Sequence, residues 1–430
     1  MGTYALLAYM PFHIFLSQWL GTSLGGLEGW KIGKDLLTIG LLTLTGFLIL
    51  TKVRRHKWQP YALLLILAAV YAVLHVALYA INKDTPLDVA ALASTYNNRF
   101  VWIFLIGVGA GILLKNRPDH RSVVRFVLVI STIVCVLGLF QWFLPKDTLE
   151  HFGYRPDLGV KPNFFINEDP AFPRVFATFR DPNSFGAYLL IPILLLVQLI
   201  QKSKNKLFLG GLLALHLAVL YLSFSRAAWV GLLVGLGMLL VISHRQKSLQ
   251  FMKQFWPVLV AGLVACSFVL YSVRGTQVFR SIVLKANDSN AAADLDSDEY
   301  HLHYIREGAE GVADRPLGHG PGTAGIVSIR SGDQQQLTEN YYIQIAYEVG
   351  VIGLLVFVAL WLFVIRLLAR QKPSTLTSVL LASAAAYAVM GMVMHLWSNE
   401  AVAFGWWGLA GLVVQSKAVR SGTFFARSRS

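Results

Sequence analysis

One stretch of this chain sets a carboxylate at the mouth of an apolar run: Leu337-Thr338-Glu339-Asn340-Tyr341-Tyr342 leads into a long hydrophobic segment carrying a second acid, Glu348. Glu339 has two readings. It is either a first-turn acid that complements a helix dipole, or a general base that takes a proton from a reacting hydroxyl. Glu348, deeper in the run, is costly in lipid and must face protein or water, in a structural or a functional role. At roughly 100° per residue the two acids point to opposite sides of a helix, so they do not form an acid/base dyad. Several arginines share the acid-rich loops. Ser223-Phe224-Ser225-Arg226 is a very short turn between two apolar runs. Arg174 and Arg180 flank Val175 to Phe179, just before Asp181-Pro182-Asn183, and Arg306 lies in a long polar loop. Singly, each is explained as an interfacial arginine reaching toward headgroups. Together they offer what a pyrophosphate needs, because guanidinium forks bind phosphate oxygens bidentately.

Three weaker patterns carry less. Gly318-His319-Gly320-Pro321-Gly322 has the look of a phosphate loop but follows no strand and opens no helix. It reads as a turn, with its backbone N–H groups open to an anion. Asp294, Asp296 and Asp298 echo a calcium loop, yet Glu299 and Ile305 stand where that loop wants Gly and Glu. His301 and His303 lack partners at zinc-ligand spacing and read as a solvated helix start. The reading therefore includes no metal and no cofactor.

These residues must be positioned by membrane spans. The chain is 55% hydrophobic and only 14% charged, against roughly a quarter charged in soluble domains. Twelve apolar runs are legible: Tyr4–Leu24, Leu36–Leu50, Tyr61–Ile81, Asn98–Leu114, Val123–Leu144, Pro182–Ile200, Leu207–Phe224, Ala227–Ile242, Phe255–Val273, Tyr341–Leu368, Leu376–Trp397 and Ala401–Val414. Most approach the ~20 residues that cross a bilayer. Alternate connections are basic (Lys52 to Lys57, Lys115 to Arg125, Lys202 to Lys206, Arg245 to Lys253, Arg366 to Lys372 and the tail), whereas nearly all acids lie in the others. Short Lys/Arg-rich loops stay in the cytoplasm. Both termini are therefore expected inside and the acids outside. The formal charge of +14 reflects this bias, and nucleic acid is not an expected partner. Cys135 and Cys266 both fall in apolar runs, which argues against a disulfide framework. The first run holds Pro11, His13 and Gln18 and reads as a retained span. Trp19, Trp30, Trp58, Trp102, Trp142, Trp229 and Trp397 lie near run ends, as interfacial belts do.

The fold class expected is an all-α integral membrane protein of about twelve spans, with a large helical outer loop between spans nine and ten. Residues 1–273 hold the first nine spans, 274–338 the outer loop domain, and 339–430 the last three spans and tail. A helix is expected in the loop, with Ser297 as cap, Asp298 and Glu299 in its first turn, and Pro316 beyond its end. Arg306 and Glu310 fall at i and i+4 on it.

Four stretches together resemble the O-antigen ligase and polysaccharide polymerase family of bacterial membrane glycosyltransferases: Arg174 to Gly186 (RVFATFRDPNSFG), Ser223 to Trp229 (SFSRAAW), Arg315 to Gly322 (RPLGHGPG) and Glu339 to Leu354 (ENYYIQIAYEVGVIGL). As topology the resemblance covers most of the chain; its motifs begin at Arg174. It implies an inverting, metal-independent transfer of a glycan from an undecaprenyl-pyrophosphate carrier to the hydroxyl of an acceptor glycan or glycolipid. The transfer would take place at the outer face of the bacterial inner membrane. It implies Glu339, Arg226 and Arg306 as catalytic residues, and Arg180, Arg174, Asn340 and Asn183 as substrate-binding ones. In the ligases a histidine usually stands where Glu339 does here, which shifts the expectation toward a polymerase or a ligase with another acceptor. A twelve-span transporter or lipid-linked-glycan flippase is the alternative. Such proteins place their sites near the midplane between repeated halves, and no repeat is evident here.

Overall fold

A computed structural model describes residues 2–52, 61–82, 85–113, 120–166, 169–243, 297–331 and 336–414. The ninth expected span, Cys266, the Asp294/Asp296 part of the calcium-like loop and the basic tail lie outside the described residues. The helices are α1 (Gly2–Tyr9), α2 (His13–Leu24), α3 (Leu27–Lys52), α4 (Ala62–Ile81), α5 (Leu87–Leu113), α6 (His120–Phe143), α7 (Pro182–Lys202), α8 (Lys206–Leu222) and α9 (Arg226–Ser243). After them come α10 (Ser297–Asp314), α11 (Tyr341–Ala369), α12 (Thr375–Met390) and α13 (Glu400–Val413). A short antiparallel pair, β1 (Phe165–Ile166) and β2 (Asp169–Pro173), lies in the connection between α6 and α7.

Seven of the described helices are long and apolar enough to cross a membrane, and α8, α12 and α13 are shorter apolar helices. Their outward sides are hydrophobic: Leu50, Leu63, Val76, Phe140, Leu207, Leu233 and Leu355 are all exposed. Apolar surface on that scale is matched to lipid rather than water. The inward sides form one core in which Trp361, Trp397, Trp406 and Trp407 pack edge-to-face and tilted, with ring centroids 5.2–6.3 Å apart. Trp397 is thus fully enclosed, not an interfacial anchor.

Several helices run past the ends the sequence suggests, because their charges are paired inside the protein. Span two was expected to begin at Leu36, yet α3 begins at Leu27 and carries Lys34 and Asp35 into the interior. Span four was expected from Asn98, yet α5 begins at Leu87. Lys34 and Arg99 both approach Glu400 at the start of α13, at 3.7 and 3.2 Å. The guanidinium of Arg99 also donates to the Ser398 carbonyl and lies 4.0 Å from the ring centre of Tyr96. Span eleven shows the opposite difference. Its helix, α12, stops at Met390, and the polar run from His395 to Asn399 forms a separate turn capped into α13 by Asn399.

The connections divide between two ends of the bundle. Lys202, Ser374, Thr375 and His120 meet at one end, where Arg121 and Arg125 also lie. At the other, the α6–α7 connection, the α8–α9 turn, the α12–α13 connection and the start of α11 come together around Glu339.

Candidate functional site

Three non-glycine residues adopt left-handed backbone among the described residues: Ala177 (φ 51°), Phe224 (φ 47°) and Glu339 (φ 44°). One falls in each of three separate motifs. Such conformations cost of order 1–3 kcal/mol each and persist only where surrounding contacts over-determine them. The contacts are present. Gln141 Oε1 accepts from the backbone N–H groups of Phe176 and Ala177 at 3.0 and 2.8 Å, and the Thr178 hydroxyl donates to the Pro11 carbonyl at 2.6 Å. Arg174 then joins this loop to the next motif. Its Nε donates to the Ser223 carbonyl at 3.0 Å, and its terminal nitrogen donates to the Phe224 carbonyl and to Asn183 Oδ1 at 3.4 and 3.1 Å. Arg174 and Asn183 therefore build the site's wall. Burial draws Arg174 down to about 10, against the pull of Asp181, and neighbouring Arg226 adds to the fall. Those influences place Asp181, Arg174 and Arg226 in one electrostatic neighbourhood.

Glu339 stands just before α11. The N-cap is Asn340, whose Oδ1 accepts from the N–H groups of Tyr342 and Ile343 at 2.9 and 3.0 Å. Its Nδ2 donates to the Met392 carbonyl at 2.9 Å. Capping is thus done by Asn340, and the first-turn reading of Glu339 does not hold: Glu339 lies outside the helix, with a side chain 29% exposed. Its Oε2 is 3.5 Å from His301 Nδ1 on α10. Burial raises the Glu339 carboxyl above its ordinary value, His301 opposes that, and the Asp181 carboxylate reinforces it. Both effects of environment move a carboxylate toward a competent base at neutral pH.

Helix α10 reaches Glu339 because one face lies flat on α11. Added Cβ atoms on Gly308 and Gly311 would meet Ile343 and Tyr347 at 2.9 and 2.4 Å. His301 shares that face. Arg306 does not: it is 82% exposed and pairs with Glu310 at 2.8 Å. The structure thus brings His301, which had read as a solvated helix start, to Glu339, and leaves Arg306 on the far side of α10. Arg180 is half-buried; burial first, then His301 and Arg180, lowers the proton affinity of His395 to about 4. Asp181 caps α7 through Ser184, accepting from its N–H at 2.8 Å and its hydroxyl at 2.7 Å.

Glu348 is fully buried and accepts from Asn97 Nδ2 at 2.7 Å and from the Gly322 N–H at 2.8 Å. With the carbonyls of Tyr347 and Glu348 accepting from His319 and Gly320, it clamps the 315–322 turn onto α11. The N–H groups of His319, Gly320 and Gly322 are therefore occupied by protein, not open to an anion as the sequence suggested. The role of Glu348 is structural.

Sequence reasoning missed His301, Asp181 and His395. Asp181 lies within the RVFATFRDPNSFG stretch but was given no role, and only the packing of α10 on α11 brings His301 to Glu339.

Residues 209–358 match the family described as O-antigen ligase. The match includes the SFSRAAW, RPLGHGPG and Glu339 stretches. No curated protein matches the chain. The apolar helices and the domain match point together to an integral membrane protein of glycan transfer, similar over residues 209–358 to the O-antigen ligase family.

Proposed function

We propose that the protein transfers a glycan from a polyprenyl-pyrophosphate carrier to an acceptor hydroxyl, with Glu339 as general base. The observation that carries this reading is Glu339 itself: a strained, partly buried carboxylate of raised proton affinity, beside His301 and Asp181, with Arg180 and Arg226 in the same electrostatic web. The acceptor O–H gives its proton to Glu339, its oxygen bonds to the anomeric carbon, and the bond from that carbon to the pyrophosphate oxygen breaks with inversion. The negative charge gathers on the departing pyrophosphate. Arg180 and Arg226 are set to stabilise it where it grows, and Arg174 holds the two loops that carry them. Arg306 stands at the exposed rim, where it meets the donor before or after the chemical step.

The twelve-span topology, the division at 274 and 338, and the outward orientation of the Glu339 end belong to the same proposal. Their support is the basic residues at the opposite end of the bundle. Sited outside the cytoplasm, in the bacterial inner membrane, the enzyme would draw on undecaprenyl-linked glycans, and polymerisation is the favoured outcome because Glu339 replaces the usual ligase histidine. The test is turnover by purified protein given an undecaprenyl-pyrophosphate glycan and an acceptor. Full activity of Glu339→Gln would remove the assignment, and movement of the lipid across proteoliposomes without a new glycosidic bond would replace the enzyme with a transporter.

A further inference from the structure

The α12–α13 connection is stitched to the start of α11. The Tyr341 N–H donates to the Gly391 carbonyl at 2.8 Å, Asn340 Nδ2 to the Met392 carbonyl, and the Tyr342 hydroxyl to the Ala388 carbonyl at 3.0 Å. His395 sits in this connection with Nδ1 2.8 Å from Gln344 Oε1. The orientation of that amide decides the imidazole tautomer. Gln344 also lies close to the Glu348 carboxylate, which accepts from Asn97 and Gly322. Gln344 Oε1 is the atom that faces His395, and its NH2 group is turned the other way. The Nδ1 of His395 is then the donor, and the lone pair of Nε2 is left bare. That Nε2 is buried and has no hydrogen-bond partner. An unsatisfied buried acceptor is destabilising, and the Gln344 contact holds the ring in place. Arg180 and His301 stand close to it electrostatically, and His301 contacts Glu339.

We propose that His395 is a substrate-binding residue whose Nε2 accepts a hydrogen bond from a hydroxyl of the acceptor sugar, seating that sugar beside Glu339. This rests on the glycan-transfer reading above. The chemistry fits a hydroxyl better than an anion or a cation. A bare imidazole lone pair repels an anion's oxygen, and the Arg180 guanidinium repels a cation. A sugar O–H is a neutral donor of the right length. Gln344 acts through His395 as a positioning residue.

The two side-chain amides separate this role from mere packing. Asparagine at 395 keeps a donor at the Nδ1 position for Gln344 but offers nothing at the Nε2 position. Glutamine places its amide end near Nε2. Purified full-length protein would be assayed with the undecaprenyl-pyrophosphate glycan extracted from its host as donor and the same glycan as varied acceptor. The expected result for His395→Asn is an acceptor KM raised about 5–10-fold, as loss of one neutral hydrogen bond implies. Donor KM and melting temperature stay near wild type, and His395→Gln recovers much of the loss. An unchanged acceptor KM in His395→Asn, with Glu339→Gln inactive, would overturn this inference and leave the reaction intact. A fall in melting temperature shared by both variants, with no KM difference between them, would also overturn it by making His395 a packing residue. A wild-type protein that forms no glycosidic bond would overturn the reaction instead.

Discussion

Glu339 Oε2 and His301 Nδ1 approach to 3.5 Å, joining α10 to the residue that precedes the cap of α11. This contact and the electrostatic influence of Asp181 fix the direction in which the base can be tuned. The carboxyl is raised by burial and by Asp181 and lowered by His301. A base works only when deprotonated, so activity falls on the acid side as pH drops through its pKa. Replacing His301 with Gln removes the neighbour that holds the carboxyl down, raises it further and moves the acid limb of the kcat/KM profile to higher pH. Asp181→Asn removes a negative neighbour and moves the limb to lower pH, while its amide oxygen still caps α7. Opposite shifts in the two variants are the expected outcome, and parallel shifts would remove Glu339 as the titrating group. Glu339→Gln should cost about 10²–10⁴-fold in kcat.

Much of this arrangement was legible in the residues. The apolar runs marked the membrane helices, and the 174–186 and 223–229 stretches and Glu339 fall at one end of the bundle. What could not be read was pairing across distance. Lys34, Arg99 and Glu400 look like reasons to end a span until they are seen to neutralise one another. Arg174 and Asn340 look like ligand contacts until their hydrogen bonds are seen to go to backbone carbonyls and a helix cap. Arg306 and His301 sit on one helix, and only the way α10 lies on α11 decides which of them meets Glu339.

Gly318 and Gly350 meet backbone to backbone. A Cβ on Gly318 would lie 2.6 Å from the Gly350 nitrogen, and one on Gly350 would lie 2.6 Å from the Leu317 carbonyl group. Both glycines have positive φ, 98° and 75°, and Gly350 forms the kink in α11. Alanine at either position meets strain and collision together. Gly350→Ala should lower stability by about 1–3 kcal/mol, read as a lower melting temperature in detergent. Turnover should fall with it, because the kink orients the segment that carries Glu339 and Gln344. A fully stable Gly350→Ala protein would show that the 315–322 turn is not clamped as described.

The arginines should separate by burial. Arg306 forms an exposed i,i+4 pair with Glu310, a kind of contact typically contributing under about 1 kcal/mol. Arg306→Ala should leave the melting temperature unchanged and reduce turnover modestly. Arg180→Ala should lower kcat about 10²–10³-fold, the scale for a lost electrostatic stabiliser of a transition state. Arg174→Ala should act mainly on stability, since its bonds run to Ser223, Phe224 and Asn183. Because these side chains supply positive charge for the leaving group, turnover is expected to survive EDTA. Loss on chelation that Mg²⁺ restores would shift that task to a metal. A larger kcat loss for Arg306→Ala than for Arg180→Ala would instead place the pyrophosphate at the rim.

The buried charges around Glu400 give the sharpest stability test, because they join α3, α5 and α13 away from Glu339. Glu400 Oε1 is 3.2 Å from Arg99 and 3.7 Å from Lys34, and Lys34 is 3.1 Å from Asp35. Two positive and two negative groups neutralise one another inside the bundle. Removing one partner leaves an uncompensated buried charge, which costs about 3–5 kcal/mol, whereas replacing a whole pair with apolar residues is often neutral. Glu400→Gln alone should therefore destabilise the protein strongly. Arg99→Met combined with Glu400→Leu should be markedly less damaging than the two single changes added together. Denaturation of the four proteins in one detergent measures the coupling, and a strictly additive pair would show that Arg99 and Glu400 do not interact through their charges. If the double variant also retains turnover, the cluster serves the fold alone; if it is stable but inactive, charge in the bundle interior reaches the site through Ser398 and the connection that carries His395.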